Sequence, residues 1–363
     1  GEARNLTPKL KGSVTTADWH TAASLMLGEN VDGEAAIVLF RLDGPPNTMW
    51  RGPAEVSAAR LIGASVAKNS AMSAVIRSSF DQPPEVWAGP IGNWHQKTHV
   101  NDAVHASWGN AQSVHWKSDE YDVQGWLLAP ANVDANKKYA MVVAVHGGPA
   151  SAFLPSWPRE QNGSLAAAGS FVFMPNPRGS YGEGEAFTRA NVKDFGGGDL
   201  RDILAGVDAV TKQYPIDPSR IGIWGWSYGG YMTMWTVTQT NRFRAAVAGA
   251  GVADWLSYYG ENSIDQWMIP FFGASVYDDP WIYARSAPIT FIKNVKTPTL
   301  VLVGERDGEC PAPQSFEFWH ALKTLGVETQ LVVYADEGHS FRKLADRKDV
   351  VRRLVGWFDS HLK

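Results

Sequence analysis

The spacing of hydrophobic positions changes part-way along the chain. Up to about residue 115, short apolar runs such as Ala35-Ala36-Ile37-Val38-Leu39-Phe40 and Ala71-Met72-Ser73-Ala74-Val75-Ile76-Arg77 are separated by Gly, Pro and Asn. Turn signals stand at Asp43-Gly44-Pro45-Pro46 and Asp81-Gln82-Pro83-Pro84. This spacing predicts a meander of antiparallel strands without intervening helices. From about residue 120 the runs become nearly continuous, at 124–128, 139–146, 170–174, 220–224, 244–248, 299–303 and 329–334. Such runs predict strands buried on both faces, as in a parallel sheet. Between them, 200–213 carries Ile203, Leu204, Val207 and Val210 at helical spacing, and 314–325 and 350–361 read similarly. The alternation predicts an α/β domain over 116–363, preceded by an all-β segment over 1–115.

Composition narrows the function classes. The 363 residues are 44% hydrophobic and 19% charged, which suits a globular chain with a sizeable core. A formal net charge of −4 offers no basic field for nucleic acid. No apolar run approaches the length that spans a bilayer, and no signal peptide is evident. The chain opens Gly1-Glu2-Ala3 without Met, so a cytoplasmic and a periplasmic location both stay open. Cys310 is the sole cysteine, which rules out an internal disulfide. The 16 tryptophans are high for this length, and several fall near the candidate site as cleft-lining groups.

The chemistry is carried by Gly225-Trp226-Ser227-Tyr228-Gly229. It follows the strand run Ile221-Gly222-Ile223-Trp224 and precedes an apolar helical stretch over 230–238. This strand–turn–helix context is that of the nucleophile elbow of an α/β-hydrolase, in which the glycines admit a strained turn that exposes the Ser227 hydroxyl. The helix N-terminus behind it favours a developing oxyanion. An acyl-transfer serine needs a base and an orienting acid, in the chain order Ser, acid, His. Asp307 follows the apolar strand 300–303 and a turn. His339 follows the strand 331–334 and a loop. Glu305 and Glu309 flank Asp307 without its position just after the strand. Asp336 and Glu337 read as solvated loop charges. His146-Gly147-Gly148-Pro149, directly after the strand 141–145, fits the second oxyanion-binding loop, so the backbone N–H groups of Gly148 and Tyr228 are the expected donors.

Taken together, His146-Gly147-Gly148-Pro149, Asn176-Pro177-Arg178-Gly179-Ser180-Tyr181-Gly182, the stretch Asp217-Pro218-Ser219-Arg220 leading into the elbow, and Glu337-Gly338-His339-Ser340-Phe341 resemble the prolyl oligopeptidase family of serine peptidases. The resemblance is strong over 115–363, and the His-Gly-Gly-Pro form is closest to the acylaminoacyl-peptidase and dipeptidyl-peptidase branches. It implies hydrolysis of amide bonds in short peptides through an acyl-enzyme, with no cofactor. It also implies a β-propeller over the active site. Residues 1 to about 115, including Pro83-Pro84-Glu85-Val86-Trp87, are similar to its last blades but too few for a whole one. The expectation is therefore a missing N-terminal propeller segment, removed or present as a separate chain, that packs against this half.

The same resemblance implies a primary specificity pocket lined by Val252, Trp255 and Tyr258, with Tyr228 as a further wall. Cys310 is expected to touch this pocket as a small apolar group. Glu309, where relatives more often carry a neutral or basic residue, is expected to favour a basic or amino-bearing group one residue further toward the substrate N-terminus. Arg178 either holds a substrate carbonyl or carboxylate or pins its loop by ion pairing, and the family context favours the latter.

Other signals are weaker. Gly196-Gly197-Gly198-Asp199 reads as a loop with Asp199 capping the next helix. His95 and His99 have ligand-like spacing, but no Cys or carboxylate completes a zinc set, so no metal is expected. Acylated N-termini, dipeptides released from free N-termini, internal bonds of oligopeptides and isopeptide bonds in small constrained peptides all remain open as substrates. The rival readings are a carboxylesterase on the same fold and a catalytically silent binding module.

Overall fold

A computed structural model describes residues 4–8, 10–58, 61–68 and 70–363, so Gly1, Glu2 and Ala3 at the head of the expected all-β segment lie outside it. The chain forms two units. The first takes residues up to 106 together with 152–158 and 180–188, and the second takes 107–151, 159–179 and 189–363.

The first unit is built from antiparallel strands, as the punctuated apolar runs predict. Strands β1 (Ser13–Thr21), β2 (Ser24–Val31), β3 (Glu34–Arg41) and β4 (Asn47–Gly52) pair in sequence order as one sheet. The β2–β3 hairpin closes on Asp32 and Gly33, both at positive φ (53° and 72°), the geometry of an Asp-Gly two-residue turn whose twist matches the strands. Both faces of β3 are buried. Ala35 and Ile37 join Met26, Val56, Val75 and Trp94, while Ala36, Val38 and Phe40 pack with Leu27 on the other side. The second sheet contains β5 (Glu55–Ala58), β6 (Leu61–Ile62), β7 (Ser65–Val66), β8 (Met72–Ser78), β9 (Glu85–Pro90) and β10 (His95–Gln96), with β8 paired to β5, β7 and β9. Leu154, from the 152–158 segment, packs into the cluster around Ile37.

The second unit is an α/β sandwich around an eight-stranded sheet of order β11-β12-β14-β13-β15-β16-β17-β18. Its strands are β11 (Ala111–Ser118), β12 (Tyr121–Leu128), β13 (Tyr139–Val145), β14 (Phe171–Asn176), β15 (Ile216–Trp226), β16 (Ala245–Gly249), β17 (Thr299–Gly304) and β18 (Thr329–Tyr334). The pairs β11–β12 and β12–β14 are antiparallel, and every later pair is parallel. Connecting helices are α1 (Glu160–Ala167), α2 (Glu185–Thr188, a single turn belonging to the first unit), α3 (Gly198–Gln213), α4 (Tyr228–Gln239), α5 (Trp255–Glu261), α6 (Met268–Phe272), α7 (Pro280–Ala284), α8 (Ala312–Thr324) and α9 (Leu344–His361).

Strands β14, β16 and β17 are buried at every position, as their apolar runs require. One expectation fails. Residues 329–334 were read as buried on both faces, yet β18 is the sheet's outer strand and only Tyr334 is buried. An edge strand lacks a neighbour on one side, so its Leu331, Val332 and Val333 remain partly open to solvent. Strand β11 shows the converse. It alternates buried and open residues, with Val114, Trp116 and Ser118 inward, and has no continuous apolar run to betray it.

Candidate active site

Every group of the candidate site lies in the second unit, at the carboxyl ends of β13, β15, β16, β17 and β18 or in the loops and helices that follow. This edge is where an open α/β sheet accommodates ligands.

Ser227 occupies the one-residue turn between β15 and α4, with φ 62° and ψ −125°. A non-glycine residue in this region is strained, and the surroundings hold it there. Its N–H donates to Gly249 O at 3.0 Å, and its carbonyl accepts from Tyr231 N at 2.9 Å. The flanking glycines are sterically required. A Cβ on Gly229 would lie 2.1 Å from Val145 O, and one on Gly225 would lie 2.4 Å from the Gly229 backbone. The tight crossing of strand and helix that presents Ser227 therefore excludes any other residue at these two positions.

His339 donates from Nδ1 to Asp307 Oδ2 at 2.8 Å. The Asp307 carboxylate is fully buried, and its second oxygen, Oδ1, accepts the N–H groups of Glu309 (2.9 Å) and Cys310 (2.8 Å). Three donors thus fix both carboxylate oxygens, and the carboxylate fixes the imidazole. Burial opposes protonation of His339, but the hydrogen bond and charge of Asp307, with the charge of Glu309, outweigh it and raise the imidazole pKa. The Nε2 edge of the ring faces Glu309 Oε2 at 3.6 Å. Trp226 Nε1 donates to His339 O at 3.0 Å and ties the histidine loop to the end of β15.

Glu337 departs from expectation. It is buried, and its two carboxylate oxygens accept Arg342 N and Lys343 N, each at 2.8 Å. Those hydrogen bonds, the one from Arg342 first, hold its pKa below the usual carboxylate value. It therefore braces the loop that carries His339 rather than lying in solvent. Asp336 is exposed as expected, where it pairs with Arg306.

The loop after β13 lies against the turn that carries Ser227. A Cβ on Gly147 would sit 3.3 Å from Ser227 Cβ, and Gly148 has φ 130°, a conformation open to glycine. Burial drives the His146 pKa down to about 4, so the ring is neutral and its Nδ1–H donates to Gly147 O at 2.7 Å. Glycine at 147 and 148 lets the main chain approach the space in front of Ser227.

That space is a cavity of about 310 Å³. It collects Gly148, Ser227 and Tyr228 with every residue assigned to the pocket from sequence, namely Val252, Trp255, Tyr258, Glu309 and Cys310. Trp255 and Tyr258 stand three apart on α5, hence on one helix face, with rings meeting edge-on at 5.3 Å. Asp254 caps this helix by accepting Leu256 N at 2.9 Å. Cys310 is buried, and its thiol pKa is pushed up chiefly by burial.

Sequence reasoning did not find Ile264, Trp267 and Phe271, which complete the wall. The signal available was the aromatic-rich run Trp267-Met268-Ile269-Pro270-Phe271-Phe272, but nothing in its distance from Ser227 registers it to the site. A second unforeseen feature lies beneath Tyr228, whose hydroxyl donates to Asp199 Oδ2 at 2.6 Å. Asp199 does not cap α3 as expected. The first helical N–H, of Gly198, goes to Asp194 Oδ2 at 2.9 Å, because the helix begins one residue before Asp199. Burial lifts the Asp199 pKa to about 7, despite hydrogen bonds from Tyr228, Gly196 and Leu200 that favour the anion.

Arg178 is spent on structure. Its guanidinium, 6% exposed, donates to Asp202 at 2.6 and 2.9 Å and to Asp119 at 2.9 Å, and it stacks over the Tyr121 ring. His99 pairs with Asp102 at 2.9 Å on an exposed surface.

A model of the prolyl oligopeptidase family matches residues 159–363. This chain belongs to the prolyl oligopeptidase family. It is 35% identical over 294 residues to the uncharacterized peptidase YuxL of Bacillus subtilis, covering 78% of this chain and 44% of that one. It is 32% identical over 248 residues to dipeptidyl-peptidase 5 of Porphyromonas endodontalis, covering 66% of this chain and 35% of the relative. Among solved structures, the acylaminoacyl peptidase of Pyrococcus horikoshii superimposes with a TM-score of 0.87 at 25% identity, over all of this chain and 58% of that one. The family's α/β-hydrolase fold is thus shared, and the chain spans less than half the length of these two curated relatives. No helix among the described residues is long and apolar enough to cross a membrane.

Proposed function

We propose that this chain is a serine peptidase that cleaves amide bonds of short peptides through an acyl-enzyme on Ser227. The observations that carry this reading are the Asp307–His339 hydrogen bond of 2.8 Å and a serine held at positive φ in the lining of an aromatic cavity. His339 Nε2 takes the Ser227 proton, and Oγ attacks the carbonyl of a residue whose side chain occupies the Trp255–Tyr258 pocket. The resulting oxyanion is held by the N–H groups of Gly148 and Tyr228. His339 then returns the proton to the leaving amine, and water enters by the same route to release the acyl product. Asp307 holds the Nδ1–H tautomer and balances the imidazolium charge.

The relatives are peptidases by name, which supports amide over ester substrates. The relatives' greater length supports a further propeller segment that completes the sheets of the first unit. The test is Ser227→Ala against the parent on aminoacyl anilides and nitrophenyl esters, with fluorophosphonate labelling as an independent readout. A peptidase loses anilide hydrolysis by several orders of magnitude and loses the label. Ester turnover with no measurable anilide turnover would make it a carboxylesterase, and unchanged rates would remove Ser227 from the mechanism.

A further inference from the structure

Among the described residues no Lys or Arg pairs with Glu309, a carboxylate that lines the cavity. Its backbone N–H is fixed by Asp307 Oδ1, and its side chain, half-exposed, lines the same space as Ser227, Trp255 and Tyr258. Among the described residues the one basic group within ion-pair distance is the imidazole of His339, whose Nε2 lies 3.6 Å away. The cation nearest along the chain, Arg306, pairs with Asp336, as does Lys343 of the histidine loop. Apart from Gly148, Ser227 and Cys310, the rest of the lining is aromatic or aliphatic, and includes Trp255, Tyr258, Trp267 and Phe271. A partly desolvated carboxylate over such a wall discriminates sharply. An ammonium gains a charge-assisted hydrogen bond and a ring face, whereas an acylated, neutral amine leaves the carboxylate unpaired.

We propose that Glu309 binds the free α-ammonium of the peptide on the acyl side of the scissile bond, which makes this an enzyme for substrates with unblocked N-termini. The inference rests on the peptidase reading of Ser227. Position limits where the ammonium lies. The reacting carbonyl carbon must come within roughly 3–3.5 Å of Ser227 Oγ, and Glu309 faces the edge of the imidazole that serves this oxygen. The ammonium therefore belongs to the first or second residue before the bond cleaved. When the substrate is absent, the same carboxylate rests against the imidazole.

The experiment uses the 363-residue chain and its Glu309→Gln variant on four substrates, the anilides of phenylalanine and of a glycyl-phenylalanine dipeptide, each with a free and an N-acetylated terminus. The expected result is a parental preference for a free terminus in at least one pair. In Glu309→Gln the ratio of kcat/KM between free and acetylated forms should fall about tenfold, mainly through KM. The ratio is internally controlled, so a general loss of folding or of His339 function leaves it unmoved. A ratio within twofold of the parental value overturns the inference while the peptidase reading stands. If the parent cleaves none of the four, or Ser227→Ala is as fast as the parent, the peptidase reading itself fails.

Discussion

Asp307→Asn isolates the contribution of the acid to the site, and the structure specifies why the change is severe. An asparagine at this position has one acceptor and one donor where the carboxylate has two acceptors. The N–H groups of Glu309 and Cys310, at 2.9 and 2.8 Å, both point at Oδ1. They will hold the amide oxygen there and turn the NH2 group toward His339 Nδ1. The imidazole can keep a hydrogen bond only by adopting the Nε2–H tautomer, which cannot accept the Ser227 proton. The side chain is isosteric and the hydrogen-bond count is preserved, so stability should change by no more than about 1 kcal/mol. Activity should fall by about 10⁴, equivalent to about 5.5 kcal/mol of transition-state stabilisation. The assay is anilide turnover together with the rate of fluorophosphonate labelling at pH 8, and thermal unfolding reports the fold. A loss of less than tenfold with the fold intact would refute the reasoning, because some other acid would then be orienting the base.

Two pH dependences follow from the site's electrostatics. The proposed mechanism requires neutral His339, whose pKa is raised by Asp307 and further by Glu309, so Glu309→Gln should move the acid limb of the kcat/KM profile to lower pH. A limb that stays in place or moves up would contradict the 3.6 Å approach. Asp199 is different, since its folded pKa lies above its unfolded value. The unfolded chain releases this proton first, and stability from Asp199 is lost as pH rises from about 4 to about 7. The shift corresponds to at most about 4 kcal/mol. Asp199→Asn should therefore gain in Tm relative to the parent at pH 8 compared with pH 5, and an equal difference at the two pH values would show that the buried carboxylate carries no such cost.

Much of the second unit is legible from the chain alone because its central strands are buried on both faces, which leaves continuous apolar runs. The elbow is legible because close crossing of β15 and α4 tolerates only glycine at 225 and 229, so sterics write the motif directly into the sequence. Asp307 and His339 are proposed from their position after strand ends, since strand order sets which loops share an edge of the sheet, and the two do pair.

What tertiary structure decided lies where burial and partnership come from distant segments. Strand β18 has an apolar sequence yet an open face, since only the sheet order makes it the edge. Glu337 reads as a surface charge, but the backbone turn at 342–343 encloses it. Asp199 looks like a helix cap until Tyr228, almost thirty residues later, claims its carboxylate. Segments 152–158 and 180–188 join the first unit although they lie in the sequence of the second. The apolar pattern records how each stretch is solvated, whereas the partner that a buried polar group finds depends on chain packing that no local pattern encodes.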